Sequence, residues 1–176
     1  DGDSLVLAGS IPSSVPSNIY QTIMEKLKEK KVNIIVDATK DLLKNSLQFR
    51  PFLIKPNRHE LEEAFDIIIE SKEEAIRYAR HLQRMGARNV MVSLSGDGAV
   101  FVSEEGESFE ADVPPGKLIN AVGSGDSMIA GFLAGWETTA DYEQAFKMAV
   151  AAGSASAYSE ELASKKQVEA LLSYFK

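Results

Sequence analysis

The sequence predicts an α/β fold with a mostly parallel sheet and helices packed on both of its faces. Two observations predict it. Short, largely apolar runs recur at residues 5–8, 32–36, 52–54 and 89–94, that at 32–36 β-branched, and segments of helical periodicity lie between most of them. That alternation is the sequence form of the parallel strand–helix–strand unit. A compact meander and three helical segments then close the chain, with no internal repeat, low-complexity tract or linker.

Residues 5–8 are apolar and closed by Gly9, the pattern of a buried strand. Residues 10–17 hold two prolines and four serines and read as a loop, with Ser17 as the N-cap of the helix that follows. Ile23, Met24 and Leu27 give that helix its inner face, and Lys26, Lys28, Lys30 and Lys31 its solvated side. Residues 32–36 form a strand ending at Asp37, and residues 52–54 another, ended by Lys55-Pro56-Asn57. A helix with Leu61, Ala64 and Phe65 inward comes next. A second runs over residues 72–85 with Ala75, Ile76, Ala79 and Leu82 on one face, and Gly86 stops it. The strand at 89–94, the turn Ser95-Gly96-Asp97-Gly98, the strand at 99–103, a second turn and the strand at 108–113 have hairpin spacing. Pro114-Pro115-Gly116 breaks this run, and residues 117–120 are brief and extended. Met128, Ile129, Phe132, Leu133 and Trp136 recur at helical spacing. Asp141 caps a further helix carrying Ala145, Met148, Ala149 and Ala152, and residues 167–175 form the last.

Composition narrows the function. Nineteen basic against twenty-six acidic residues give a net charge of −7, which disfavours a nucleic-acid backbone as partner but not nucleotides held by backbone amides and Mg²⁺. The absence of cysteine excludes disulfides, thiolate metal sites and thiol nucleophiles. No apolar run approaches the ~18 residues of a membrane span, and no signal-peptide pattern opens the sequence, so the expected location is cytoplasmic. The chain begins at Asp1 and enters an apolar run at once, the expectation for a domain whose front lies upstream.

The stretch that carries chemistry is residues 120–127, Asn-Ala-Val-Gly-Ser-Gly-Asp-Ser, between an extended segment and an amphipathic helix. Glycines 123 and 125 let the backbone turn with positive φ and aim successive amides inward, and the helix adds its positive end. Such an anion hole suits a phosphoryl group gaining charge in transit. Asp126, in the first helical turn, is placed to accept the proton of an attacking hydroxyl. On local physics alone, a carboxylate that merely caps the helix and glycines that merely turn the chain fit equally well. A dinucleotide fingerprint fits less well, because the third glycine of G-x-G-x-x-G is missing and the segment lies late in the chain.

Residues 122–132, Val-Gly-Ser-Gly-Asp-Ser-Met-Ile-Ala-Gly-Phe, resemble the C-terminal signature of the ribokinase-like (PfkB) sugar kinases. Further segments resemble the same family in the same order. Gly9-Ser10-Ile11-Pro12 is similar to its Gly-Ser-Leu-Pro loop, and residues 55–60 contain its Asn-x-x-Glu element. Residues 93–99 are similar to its nucleotide-side strand and turn, and residues 149–157 to the small-residue helix beside the adenine. The resemblance implies a three-layer α/β/α fold. Residues 1–176 would be the C-terminal, nucleotide-binding portion of a single kinase domain, with the N-terminal part and the small β lid absent. Such a chain would be a poor kinase alone. Within the family, residues 52–57 and 125–135 look most like enzymes that use ATP to convert fructose 1-phosphate to fructose 1,6-bisphosphate; a tagatose-6-phosphate kinase, a nucleoside or vitamin kinase, and a non-catalytic nucleotide-binding module are the alternatives.

The resemblance assigns roles residue by residue. Asp126 would be the base, with Gly123, Ser124 and Gly125 supplying the amides. Asn57 and Glu60 would hold Mg²⁺, through water, although a helix cap with a first-turn acid is the local alternative. Lys55 would reach a phosphate, or else be a solvated lysine. Ser93, Ser95, Gly96 and Gly98 would line the triphosphate or ribose, and Ser154 the adenine. Asn120 stands where many relatives carry an Asp near a monovalent cation, which is where a K⁺ site and this sequence diverge. Asp37, at a strand's carboxyl end, lies either behind the ligand site or at an ordinary N-cap. His59 and His81 lack partners at metal spacing and read as solvated or packed, and Trp136 as core. The full-length protein would be a homodimer acting on small molecules, with no nucleic-acid or membrane partner.

Overall fold

A computed structural model of the chain describes residues 2–9 and 11–175. Ser10, part of the predicted loop and of the segment around Pro12, lies outside the described residues. Six strands form one sheet in the order β1-β2-β3-β4-β5-β6: β1 (Ser4–Ala8), β2 (Asn33–Asp37), β3 (Leu53–Ile54), β4 (Asn89–Ser93), β5 (Ala99–Val102) and β6 (Ser108–Ala111). The first four are parallel, with Leu5 opposite Ile34, Ile35 opposite Leu53, and Leu53 opposite Asn89. The five-residue links after β4 and β5 are too short for a parallel crossover, so β4, β5 and β6 run as an antiparallel meander. Seven α-helices accompany the described strands: α1 (Ile19–Leu27), α2 (Lys40–Ser46), α3 (Arg58–Phe65), α4 (Lys72–Arg84), α5 (Ser124–Thr139), α6 (Tyr142–Ala157) and α7 (Lys165–Leu172). None is long and apolar enough to cross a membrane.

The chain divides into two compact units. Unit 1 comprises residues 1–94 and 100–108; unit 2 comprises residues 95–99 and 109–176. In unit 1 alternate strand residues, Val36, Ile54, Val90 and Val92, join Met24, Leu43, Leu61 and Leu82 from the helices in one buried cluster. In unit 2 the core is the contact between α5 and α6. A Cβ on Gly131 would lie 2.6 Å from the Met148 carbonyl oxygen, one on Gly135 2.7 Å from Cα of Ala145, and one on Gly153 2.4 Å from Cγ of Met128. Gly131 and Gly135 of α5, with Gly153 of α6, are therefore what lets these two helices meet closely.

Several boundaries differ from the sequence reading, each for a physical reason. Residues 5–8 are not buried on both sides: β1 is the first strand in the sheet order, Leu7 alone is buried, and Val6 is 40% exposed. The N-cap of α1 is Asn18 rather than Ser17, and no side chain caps it. Helix α2 and the 3₁₀ turn Leu47–Phe49 are additional, because seven residues hold too few apolar positions to show a period. Residues 117–120 form no strand. Asp141 caps α6 as expected, accepting from the Gln144 amide at 2.8 Å.

Two glycines test how close packing and backbone strain separate. Gly98 has φ 87°, and a Cβ there would lie 1.9 Å from the Ala111 carbonyl oxygen; Gly106 has φ 91° and open space. Gly106→Ala should cost about 1 kcal/mol of left-handed strain, and Gly98→Ala more than about 3 kcal/mol, as measured by urea unfolding. Equal losses would show that the clash at Gly98 relaxes away.

Candidate active site

In unit 1 the candidate residues gather at the carboxyl ends of β2, β3 and β4, where parallel sheets present ligands. Asp37 ends β2, and Lys55 follows β3. Lys55 Nζ lies 3.3 Å from Asp37 Oδ2, with the lysine side chain only 6% exposed. Lys55 is thus neither a solvated lysine nor Asp37 an N-cap, that place before α2 being Thr39's. A buried ammonium needs this counter-charge; losing it would cost about 3 kcal/mol, given the partial exposure of Asp37. The sequence reading does not join these two residues, although opposite charges at the ends of neighbouring strands are the signal of such a pair.

Asn57 opens α3. Its Oδ1 accepts from the Glu60 amide at 2.9 Å, and Glu60 Oε2 accepts from the Asn57 amide at 2.9 Å, a complete capping box. Asn57 also bridges to Ser93 in parallel register, and the Ser93 amide donates to the Pro56 carbonyl at 3.2 Å. Lys55, Asn57, Glu60 and Ser93 are therefore brought together. Burial pushes the Glu60 carboxyl above the ordinary glutamate range and the Asp37 carboxylate adds to the rise, while the Asn57 amide, Lys55 and His59 work against it. With Asn57 Oδ1 and Glu60 Oε2 committed to the cap, the donor set fits a cation held through water better than one bound directly.

In unit 2 the glycine loop is pinned to the end of α6. The Ile119 and Asn120 amides donate to the Ala157 carbonyl at 2.8 and 3.1 Å. Asn120 Oδ1 accepts from the Val122 amide at 3.0 Å, so this side chain shapes the loop. The Ser127 and Ser156 hydroxyls are 2.8 Å apart, and Ser156 Oγ accepts from the Ala163 amide at 3.1 Å. Gly123, at φ 78°, is the N-cap of α5, and no side chain caps the helix. Of the four leading amides, that of Ser124 donates to Ala121 at 3.2 Å and that of Ser127 to Gly123 at 2.9 Å. Those of Gly125 and Asp126 have no acceptor among the described residues. The carboxylate of Asp126 is exposed in the first turn and does not cap its own helix.

Ser95 and Gly96 are exposed in the 3₁₀ turn after β4, Ser95 at φ 54°, whereas Gly98 is explained by its approach to Ala111. Ser154 is buried on α6. The exposed apolar surface near the glycine loop is instead a rim containing Leu118, Ile119, Val122 and Leu162, the last 2.8 Å from where a Gly123 Cβ would stand. His81 packs its ring 4.9 Å from that of Phe65, His59 is exposed, and Trp136 stacks on Tyr142 at 4.5 Å.

Residues 1–167 match the model of the pfkB family carbohydrate kinases. The chain is 46% identical over 172 residues to the 1-phosphofructokinase of Bacillus subtilis, covering 98% of this chain and 56% of that protein. It is 32% identical to the D-tagatose-1-phosphate kinase of Bacillus licheniformis, covering 92% and 53%. The structure superposes on Escherichia coli phosphofructokinase-2 in complex with potassium with a TM-score of 0.89 at 28% identity, over 98% of this chain and 57% of that one. The fold is thus ribokinase-like, and the chain spans a little over half the length of the relatives it matches.

The Glu60 carboxyl gives a pH test. A carboxyl whose folded value lies above its unfolded value makes the folded chain bind more protons between the two, so stability falls as pH rises through that window. Glu60→Gln can keep the capping box and lacks the titration. Its stability relative to the parent should improve as pH rises from about 4 towards 7 in urea unfolding; a constant difference would remove burial as the dominant influence.

Proposed function

This chain belongs to the pfkB family of carbohydrate kinases, and on that footing we propose that residues 1–176 are the C-terminal, nucleotide-binding portion of one kinase domain. The proposed reaction moves the terminal phosphoryl group of ATP to a hydroxyl of a sugar phosphate. The head of α5 carries this reading: amides without acceptors beside an exposed carboxylate that its own helix does not use.

The amides of Gly123, Gly125 and Asp126 would face the charge that develops on the transferring group, held in place before it arrives. The amide of Ser124 is committed to Ala121 and is left out of this role. Asp126 would accept the proton of the acceptor hydroxyl as its oxygen bonds to phosphorus and the bond to the departing nucleotide breaks. Asn57 and Glu60 would hold Mg²⁺ through water, and the ion when bound would neutralise phosphate charge. Lys55, tied to Asp37, would act as a fixed positive charge behind this set. Ser93, Ser95 and Gly96 would line the nucleotide, and the rim of Leu118, Ile119, Val122 and Leu162 suits the flat apolar face of a purine better than buried Ser154 does. A K⁺ site gains nothing from Asn120, whose Oδ1 is already committed to the loop.

Fructose 1-phosphate is the proposed acceptor, from the 46% identity to a 1-phosphofructokinase. The runner-up is tagatose 1-phosphate, rather than the 6-phosphate, since the similar tagatose enzyme is named for the 1-phosphate. Because the chain spans little over half of these relatives, the 176 residues alone should bind ATP yet turn over far below about 10 s⁻¹.

Calorimetric titration of MgATP into the chain should show saturable one-to-one binding. Asp126→Asn should leave that affinity within about twofold. In a protein of the relatives' full length it should lower kcat by about 10²–10⁴-fold. Full activity in that variant would remove Asp126 as the base, and absence of ATP binding by both the chain and the full-length protein would remove the kinase reading.

A further inference from the structure

At the opposite, amino ends of β3 and β4 in unit 1, four arginines line one open cavity of about 420 Å³. Arg50 precedes the segment entering β3, Arg88 directly precedes β4, and Arg80 and Arg84 come from the last turns of α4. The carboxylate among the lining residues is that of Glu104. It is already engaged two-pronged by Arg88, whose Nε and Nη2 lie 2.7 and 2.6 Å from its oxygens, with the Arg88 guanidinium 5.1 Å from the centre of the Phe52 ring. Arg80 Nη2 donates to the Gly106 carbonyl at 3.2 Å. The side chains of Arg50 and Arg84 are exposed and make neither a hydrogen bond nor an ion pair among the described residues.

This concentration of positive charge stands on a chain of net charge −7. The dipole of α4 favours a cation in its last turn, which accounts for Arg84. It does not account for Arg50, which comes from another element and is held at φ 53°, a conformation that asparagine or glycine adopts more readily. Arg50 and Arg88 also line an adjoining cavity of about 460 Å³ whose wall includes Lys28, paired with Glu25 of the same wall, and Lys30, so Lys30 extends the positive surface beyond the arginines. Guanidinium forks match phosphate oxygens two at a time, which lysines do not. The cavity is wide open to solvent, and its volume admits a small molecule. Phe52 is buried, so a nucleobase would find little aromatic surface to stack on.

We propose that the cavity of Arg50, Arg80, Arg84 and Arg88 is a second anion site that takes a small phosphate ester bearing at least two phosphoryl groups. It lies at the far ends of the strands from Lys55, Asn57 and Ser93, so its occupant is an effector rather than a reactant. Binding at this site stands independently of the kinase reading; the effector role rests on it.

Inorganic pyrophosphate is the probe, titrated into the ¹⁵N-labelled chain at ionic strength held constant with NaCl, with arginine Nε–Hε and backbone amide signals followed together. The expected result is saturable movement of the Arg50 and Arg84 side-chain signals, half-complete below about 1 mM. The Arg50→Asn and Arg84→Gln variants should each weaken it about tenfold. Arg50→Asn keeps a residue tolerant of the left-handed region, so the fold should survive. Pyrophosphate taken up at the head of α5 would instead move the amides of Gly125 and Asp126, and that movement should survive both variants. Non-saturating shifts at the arginines, unchanged affinity in both variants, or tighter binding of a polyglutamate peptide than of pyrophosphate would each overturn the proposal.

Discussion

Helix α5 can lie against α6 only where Gly131, Gly135 and Gly153 leave no side chain in the way. Glycine within a helix costs about 1 kcal/mol relative to alanine, so three such positions are a standing penalty that the close contact must offset. The same contact bears on the loop before α5. A Cβ on Gly153 would come 3.1 Å from the Ser124 carbonyl oxygen and press on Met128, within the first turns of α5. The position of the leading amides, and of Asp126 beside them, thus follows from packing on the far side of the helix. What resembles a nucleotide-side feature in the sequence of α6 is first a condition for this contact.

Unit 1 solves a different problem. Three charged side chains, Asp37, Lys55 and Glu60, lie close together at strand ends where desolvation is appreciable. The lysine is matched by one carboxylate, while the other carries a capping bond that favours its ionised form without fully restoring its hydration. A pair of this kind gives little net stability compared with apolar packing. Its value is a fixed charge whose orientation does not have to be set when a ligand arrives. Glu60 is the adaptable member, because its capping role survives a change of protonation state better than an ion pair would.

Much of the architecture was legible because the strands at 32–36, 52–54 and 89–94 are short and largely apolar and most of the longer helices carry clear periods. What escaped had weaker local signatures. Helix α2 is too short to show a period, and β1 has a buried strand's composition but an edge strand's surroundings. At the candidate site, the residues of the glycine loop and the Asn57–Glu60 pair could be named from sequence. Their hydrogen bonds could not, since they depend on which amides the turn consumes: the Ser124 amide donates to the Ala121 carbonyl, and the Val122 amide donates to Asn120 Oδ1. The pairing of Lys55 with Asp37 depends on strand register, which places residues distant in sequence side by side.

The exposed flank of β1 has a consequence for handling these 176 residues as a chain of their own. An outermost strand offers backbone groups to any extended segment that reaches it, and Val6 adds apolar surface to that invitation. In dilute buffer the net charge of −7 keeps copies of the chain apart. Added salt shortens the range of that repulsion to about 3 Å at 1 M while leaving strand pairing untouched. For these 176 residues by themselves, colloidal stability therefore rests on electrostatics rather than on a covered edge, and concentrated, high-salt solutions are where they are most exposed to edge-to-edge association.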